Sequence, residues 1–149
     1  MLKKLFQTED ETATMILRVL LGVVFFPHGM QKLLGLFGGY GFSGTYGFFT
    51  DSMGIPAIFA VLAILAEGLG CLGLLSGFLT RLSAFGIGTN MVVAVLMIHH
   101  KFGFFMNWDG KQPGEGIEYH ILVIAIALAL IIKGGGKWSI DRAIAKGLK

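Results

Sequence analysis

The sequence has few charged residues and a single cysteine. Asp, Glu, Lys and Arg together make up 14% of its 149 residues, whereas soluble domains carry about 25%. Such a chain has too little polar surface to cover a water-soluble globule. Cys71 stands alone, which excludes an intramolecular disulfide and any CxxC redox or zinc motif. Because Cys71 lies inside an apolar run, we interpret it as a buried structural thiol.

A basic patch interleaved with aromatic residues is also missing. The net charge is +3 and the pI is about 9.1, but the positive residues stand at the ends of apolar runs. That placement indicates membrane topology rather than contact with phosphates. We therefore predict no nucleic-acid partner.

Long apolar runs dominate the chain, and 54% of its residues are hydrophobic. A helix that crosses the hydrocarbon core needs about 20 mostly apolar residues. Four segments fit, at approximately residues 14–34, 56–76, 82–100 and 117–132, and glycine-rich or turn-forming stretches connect them. The sequence therefore predicts an all-α membrane protein, a single domain over residues 1–149 that forms a four-transmembrane-helix bundle.

Lysine and arginine are divided unevenly between the two ends of this bundle. Three of them, Lys32, Lys101 and Lys111, fall on the side opposite the termini. Since cytoplasmic loops are enriched in positive residues, we predict a multi-pass protein of the bacterial inner membrane with both termini cytoplasmic. The tail 138–146 is expected to form a short interfacial amphipathic helix on the inner surface. The residues on the terminal side are Lys3, Lys4, Arg18, Arg81, Lys133, Lys137, Arg142, Lys146 and Lys149.

Several polar side chains fall inside the predicted spans, where each ionisable group costs a few kcal/mol. Glu67 lies near the middle of the second span, and all four histidines fall in the outer half. We therefore expect a polar pocket that opens outward, with Glu67 at its floor. The candidate residues are Glu67 and His28 for catalysis, Gln31, Lys32, Asn90, His99, His100, Glu118 and His120 for substrate binding, and Arg18 and Arg81 as structural polar residues.

Three interpretations of these polar residues stay open. Glu67 could form a purely structural ion pair with Lys32 or Arg18. The pocket could instead bind a quinone headgroup, with His and Glu exchanging protons. Histidines and Glu67 could also ligate a metal, but no i, i+4 His pair supports this. A haem would need two facing histidines, His28 with His99 or His120, so neither metal nor haem is predicted.

Short motifs along nearly the whole chain resemble the DoxX family of small membrane proteins. The family pattern favours His99, while the helical wheel places His100 nearer to Asn90, and both are kept as candidates. His100 and His120 do not belong to the pattern. The motifs are Arg18-Val-Leu-Leu-Gly22, Pro27-His28-Gly29, Lys32-Leu-Leu-Gly35, Ala66-Glu67-Gly68, Thr80-Arg81, His99, Gly116-Ile-Glu118-Tyr119 and Ser139-Ile-Asp141.

The resemblance implies a four-helix membrane protein, and some members of the family are subunits of quinol-linked oxidoreductases. We therefore predict a membrane subunit of a quinone/quinol-linked oxidoreductase system, with quinone as the candidate cofactor and no haem, flavin or metal. Expected partners are membrane lipids, a soluble redox enzyme and a second copy of the chain. Whether the chain itself catalyses is left open. Two alternatives are a non-enzymatic scaffold for soluble redox enzymes and a permeation protein for a small metabolite or protons.

Overall fold

The chain folds into helices, and its computed structural model describes residues 2–147 without any strand in that range. A π-helical turn, Phe48–Ser52, follows α3, and a 3₁₀ turn, His99–Phe102, follows α5. Lys149, which the charge count includes, lies outside the described residues, as does the side chain of Lys3. The helices are α1 (Leu2–Phe6), α2 (Thr12–Leu34), α3 (Gly41–Gly47), α4 (Ala57–Ser76), α5 (Thr80–Met97), α6 (Glu118–Lys133) and α7 (Ile140–Gly147).

The four long helices α2, α4, α5 and α6 pack around one apolar core. α2 lies against α4 and α6, and α5 lies against the same two helices. Phe25, Leu74 and Leu130 are almost fully buried between them. The outward faces are apolar as well: Leu96 is 68% exposed and Leu122 is 65% exposed. An apolar surface of this extent suits a hydrocarbon surrounding rather than water.

Three of these helices, α2, α4 and α5, are long and apolar enough to cross a membrane. α6 has 16 residues and is about 24 Å long at a rise of about 1.5 Å per residue. That is shorter than a hydrocarbon core of about 30 Å. The helical, membrane-type architecture is thus as predicted, whereas a fourth crossing by α6 remains a prediction.

The third predicted span ends earlier than expected. α5 stops at Met97 rather than at residue 100, because Ile98 leaves the helical conformation with φ −128° and ψ −60°. His99 and His100 consequently lie in the 3₁₀ turn. The facing of these two histidines is therefore set by that turn and not by the wheel of α5.

α2 and α4 approach each other closely at small residues. A Cβ atom placed on Gly29 would lie 2.5 Å from the Glu67 carbonyl oxygen and 3.0 Å from the Gly68 Cα. A Cβ atom placed on Gly22 would lie 3.0 Å from the Leu75 Cγ. Small residues allow such contact between membrane helices. Gly22 and Gly29 therefore set the distance between α2 and α4.

Arg18 holds together the end of the bundle that carries both termini, here called the terminal rim (residues 4–11, 77–81 and 133–146). Its side chain is 1% exposed. The guanidinium donates hydrogen bonds to the carbonyl oxygens of Leu74 at 2.5 Å and Gly135 at 2.8 Å. It also reaches the carbonyls of Leu75, Lys137 and Trp138. Backbone carbonyls thus satisfy this buried charge.

Asp141 and Arg81 form further hydrogen bonds between elements of the terminal rim. The Asp141 carboxylate accepts hydrogen bonds from the N–H groups of Leu79 at 2.7 Å and Thr80 at 2.8 Å. It therefore caps α5, whose own cap residue Leu79 has no side-chain acceptor. Arg81 donates to the carbonyls of Ile131 and Ile132 at the end of α6. The expected tail helix is present as α7, and Asp141 ties it to the bundle.

Acidic residues before α2 pair with basic residues of the same rim. Lys133 contacts Glu9 at 2.7 Å and Glu11 at 3.2 Å, and Arg142 pairs with Asp10. The hydrogen bond from the Thr14 hydroxyl is the largest cause that lowers the pKa of the Glu11 carboxyl below its ordinary value. Hydrogen bonds with Glu9 and Lys133 lower this pKa further. Glu11 therefore stays ionised at neutral pH beside Lys133.

The topology can be tested with reporter fusions. If α6 crosses the membrane as a fourth span, reporters fused at residues 2 and 147 will lie on the same side, and a reporter inserted at residues 107–116 will lie on the opposite side. Paired alkaline phosphatase and green fluorescent protein fusions measure this in cells. Placement of the 107–116 and 147 reporters on one side would show that α6 does not cross.

Replacing Arg18 with Ala should strongly destabilise the protein. Each buried carbonyl that loses its donor costs about 1–3 kcal/mol, and Leu74 and Gly135 both lose one. The thermal midpoint can be followed by labelling of the buried thiol of Cys71 with a fluorogenic dye as the protein unfolds. Arg142→Gln is the control, since a surface ion pair contributes about 0–1 kcal/mol. Equal shifts in both variants would contradict this account of Arg18.

Candidate functional site

Side chains from three helices meet around Glu67. Its Oε2 accepts a hydrogen bond from Lys32 Nζ of α2 at 2.6 Å. Its Oε1 accepts one from Asn90 Nδ2 of α5 at 3.2 Å. Asn90 Nδ2 also donates to the Ala63 carbonyl at 2.8 Å, one turn earlier on α4. We call Lys32, Glu67 and Asn90 the Glu67 cluster.

Burial makes this cluster electrostatically significant. The Glu67 side chain is only 7% exposed, whereas the Lys32 side chain is 26% exposed. An ionised carboxylate away from water is costly unless a counter-charge and hydrogen bonds compensate it. Lys32 supplies the charge and Asn90 supplies a further donor, so the carboxylate has a partner on each oxygen. The ion pair with Lys32, and not with Arg18, is the one that the structure contains.

The Glu67 cluster reaches the bundle surface through α2. His28 is exposed one turn before Lys32, and its ring centroid lies 6.2 Å from that of the buried Phe25. His28 and Lys32 are four residues apart on α2 and therefore share one face of that helix. The exposed fraction thus falls from His28 through Lys32 to Glu67, and Lys32 is the residue that contacts the buried carboxylate.

His99 and His120 form a second polar pair where α5 ends and α6 begins. Their ring centroids are 4.1 Å apart. His99 Nδ1 lies 2.8 Å from the Glu115 carbonyl oxygen, so this nitrogen carries the proton and donates. His120 Nδ1 is buried and has no hydrogen-bond partner among the described residues.

His100 points away from this pair. It is exposed, and its Nδ1 lies 3.0 Å from the Val95 carbonyl oxygen. Between the two histidines that the sequence left open, His99 is the one that the structure brings to another candidate residue. The early end of α5 is the reason for this facing.

Gln31 and Glu118 contact the loops at the end of the bundle opposite the terminal rim. Gln31 Nε2 donates to the Phe37 carbonyl at 3.0 Å in the loop after α2. Glu118 Oε1 accepts from the Met106 N–H at 2.8 Å and from Trp108 Nε1 at 3.3 Å. In this structure both side chains contact loop backbone rather than the Glu67 cluster.

Two grooves on the surface lie elsewhere. One of about 230 Å³ runs between α5 and α6 and is lined by apolar residues that include Phe85, Val92 and Leu128. The other, of about 340 Å³, lies beside Tyr40 and Phe48 at α3. Neither groove is lined by a residue of the Glu67 cluster. Access to Glu67 from the outer water phase, as expected from the sequence, therefore remains a prediction.

Two residues that contact the site or the helix ends, Tyr119 and Asp141, were not named as site residues from the sequence. Tyr119 is half-buried next to His120, with ring centroids 5.6 Å apart. Asp141 caps α5 from the other end of the chain. Its contact joins residues about 60 positions apart, so no local pattern reveals it; the missing cap residue before α5 was the one available signal. No group of three or more His, Cys, Asp or Glu side chains within residues 2–147 is placed to hold a metal ion.

The fold and the polar residues define a class of small helical membrane proteins with a buried ion pair. The family model for DoxX matches residues 13–100, which is more than half of the chain. This protein therefore belongs to the DoxX family, and the resemblance seen in its motifs is confirmed.

Two curated relatives align over nearly the full length. One, from Bacillus subtilis (strain 168), carries the name "Putative oxidoreductase CatD" and is 29% identical over 93% of this chain and 92% of its own length. The other, "Inner membrane protein YqjF" of Escherichia coli (strain K12), is 28% identical over 92% of this chain and 95% of its own length. No solved structure matches significantly. Together with the three apolar helices, the family and the second relative support a bacterial inner-membrane protein.

Replacing Gly29 with Ala should loosen the Glu67 cluster. The new methyl group would lie 2.5 Å from the Glu67 carbonyl oxygen, so α2 and α4 must separate and the contact between Lys32 and Glu67 must lengthen. Overpacking of this kind costs about 1–3 kcal/mol. The thermal midpoint from Cys71 labelling measures the effect.

Gly47→Ala is the matched control for Gly29→Ala. Gly47 is also helical, but its nearest neighbour in the Cβ direction is the Asp51 carboxylate at 3.7 Å. The control should leave the midpoint unchanged or slightly raise it. If Gly29→Ala behaves like the control, the close contact does not determine the position of Lys32.

Proposed function

We propose that this protein is the membrane subunit of a quinone-linked oxidoreductase system and that Glu67 is its proton-exchanging group. The observation that carries the proposal is the buried carboxylate of Glu67, held by Lys32 and Asn90 in the middle of an apolar helix. Ionisable groups inside spanning helices are rare and mark functional sites by default. The name of the Bacillus subtilis relative points to the same class of chemistry.

The chemistry of the donor set fits a quinone headgroup. A quinone carbonyl accepts hydrogen bonds, and Lys32 and His28 carry N–H donors. Asn90 holds Glu67 in place, since its amide already donates to the Ala63 carbonyl and to Glu67. When bound, a quinone supplies the capacity to take up two electrons with two protons. The Glu67 carboxylate can take up a proton from water and pass it to the reduced quinone oxygen at this position. The Lys32 ammonium supplies the counter-charge whenever the carboxylate is ionised.

Access in this proposal is from the lipid phase. His28 is exposed on α2, and the Lys32 side chain is the partly exposed member of the Glu67 cluster. A headgroup that approaches along the α2 surface would therefore meet His28 and Lys32 before Glu67. A substrate with this route is dissolved in the membrane, as quinones are.

The electrons would come from a soluble redox enzyme docked to the membrane subunit. Cys71 cannot cycle as a dithiol because it has no second cysteine. We therefore assign to this chain the quinone position and the proton exchange, and assign electron delivery to the partner.

An electrode can replace the unknown partner in a test of this function. The purified protein is placed in nanodiscs that contain a short-chain ubiquinone, and infrared difference spectra are recorded as the quinone is reduced electrochemically. We expect the band of a carboxyl group that gains or loses a proton in the starting protein, and its loss in Glu67→Gln.

Glu115→Gln serves as the control, because the Glu115 carboxylate contacts the Asn107 N–H in an outer loop. This variant should retain the carboxyl band. The same band in Glu67→Gln, or the absence of any carboxyl signal from a stably folded starting protein with quinone present, would refute the proposed role of Glu67. Labelling of Cys71 on heating verifies that each variant is folded.

A further inference from the structure

Trp138 is held outward in an unfavourable backbone conformation. Its φ is 52°, in the left-handed region, which is uncommon for a bulky residue. The residue is 82% exposed. Trp138 lies five residues after Lys133, the last residue of α6, and Ile132 in the last turn of α6 is 70% exposed. The apolar surface of α6 ends here, since Lys133 and Lys137 follow Ile132 in the sequence.

Buried contacts stabilise this conformation. Arg18 donates hydrogen bonds to the carbonyls of Trp138 at 3.2 Å and Lys137 at 3.3 Å. Ser139 Oγ donates to the Gly136 carbonyl at 2.8 Å, and Asp141 N–H donates to the Gly77 carbonyl at 2.9 Å. Strained conformations persist where the surroundings over-determine them, and they gather at functional positions. Two almost fully buried charged residues, Arg18 and Asp141, thus hold the segment that presents an exposed indole.

Lysines without a described ion pair accompany Trp138 on the terminal rim. Lys137 is its neighbour, Lys146 lies on α7, and Lys4 lies on α1, which packs against α7. None of these three forms an ion pair with a described residue, whereas Lys133 and Arg142 are paired with acidic side chains. The net charge offered by this surface is therefore positive.

We propose that Trp138, Lys4, Lys137 and Lys146 form a binding surface for the headgroups of anionic phospholipids. Tryptophan prefers the membrane–water interface, where its ring meets the acyl chains and its N–H meets headgroups. Each lysine near an anionic surface contributes an attraction worth roughly a fivefold gain in affinity. This surface lies at the opposite end of α2 from His28 and Lys32, so it is independent of the proposed quinone position.

The test uses Trp138 as the single fluorophore. The sequence has two tryptophans, so Trp108→Phe leaves only Trp138. This variant is placed in phosphatidylcholine nanodiscs that contain the same fraction of either brominated phosphatidylglycerol or brominated phosphatidylcholine. We expect the brominated anionic lipid to quench Trp138 several-fold more strongly, and high salt to reduce the difference because it screens exposed charges.

One triple variant and one double variant, both in the Trp108→Phe background, identify the residues that cause the preference for anionic lipid. Lys4→Gln, Lys137→Gln and Lys146→Gln together should bring quenching by the anionic lipid down to that by the neutral lipid. Lys101→Gln with Lys111→Gln, at the other end of the bundle, should leave the preference intact. Labelling of Cys71 on heating verifies that both variants are folded.

Three results would overturn the proposal. Equal quenching by both lipids in the Trp108→Phe protein would mean that Trp138 lies in the interface without headgroup selectivity. Retention of the preference in the Lys4, Lys137 and Lys146 variant would place the anionic-lipid contact on other residues. Absence of quenching by either lipid would mean that Trp138 faces water, where a soluble protein is the better candidate partner.

Discussion

The backbone contact between α2 and α4 determines where charged side chains can lie in this bundle. Gly29 rests against the Glu67 carbonyl, and no side chain separates the two helices there. Lys32 follows Gly29 on the same helix by three residues, so its ammonium group reaches Glu67 at 2.6 Å. At the other end of the same contact, Arg18 reaches the last carbonyls of α4. Both charged groups therefore depend on how closely α2 approaches α4.

The two buried charges are compensated by different kinds of partner. Backbone carbonyls surround Arg18, and these dipoles are fixed by the fold and cannot change protonation. Glu67 is instead compensated by the side chains of Lys32 and Asn90. A side chain that is 26% exposed can change its position and its contacts. The Arg18 end is thus suited to a constant structural role, while the Glu67 end has groups that can exchange protons or partners.

Hydropathy was enough to predict the long helices, since runs of apolar residues separated by glycine-rich turns leave few alternatives. The ion pair of Lys32 with Glu67 was one of two pairings that the sequence allowed. The choice between them depended on the antiparallel register of α2 and α4, which places Arg18 at the far end of α4. Such a register is a property of packing and is not encoded in any single segment.

The remaining features of the site depended on contacts distant in sequence or on local helix ends. Asn90 bonds across to Ala63 as well as to Glu67, which a helical wheel of one helix cannot show. His99 rather than His100 meets His120 because α5 ends at Met97. Asp141 supplies the cap that Leu79 lacks, over a separation of about 60 residues. In each case the deciding partner lies outside the window in which sequence periodicity operates.

The small number of helices in the bundle also affects how a ligand could reach Glu67. Four helices surround a core in which Phe25, Leu74 and Ile87 are almost completely buried, and close packing of that kind leaves little room for a headgroup-sized cavity. A site on such a bundle is more easily built at its surface, where one polar side chain is exposed and the next is partly covered. His28, Lys32 and Glu67 have this order of exposure. A small membrane bundle can therefore present a buried carboxylate to a membrane-dissolved molecule without opening its core.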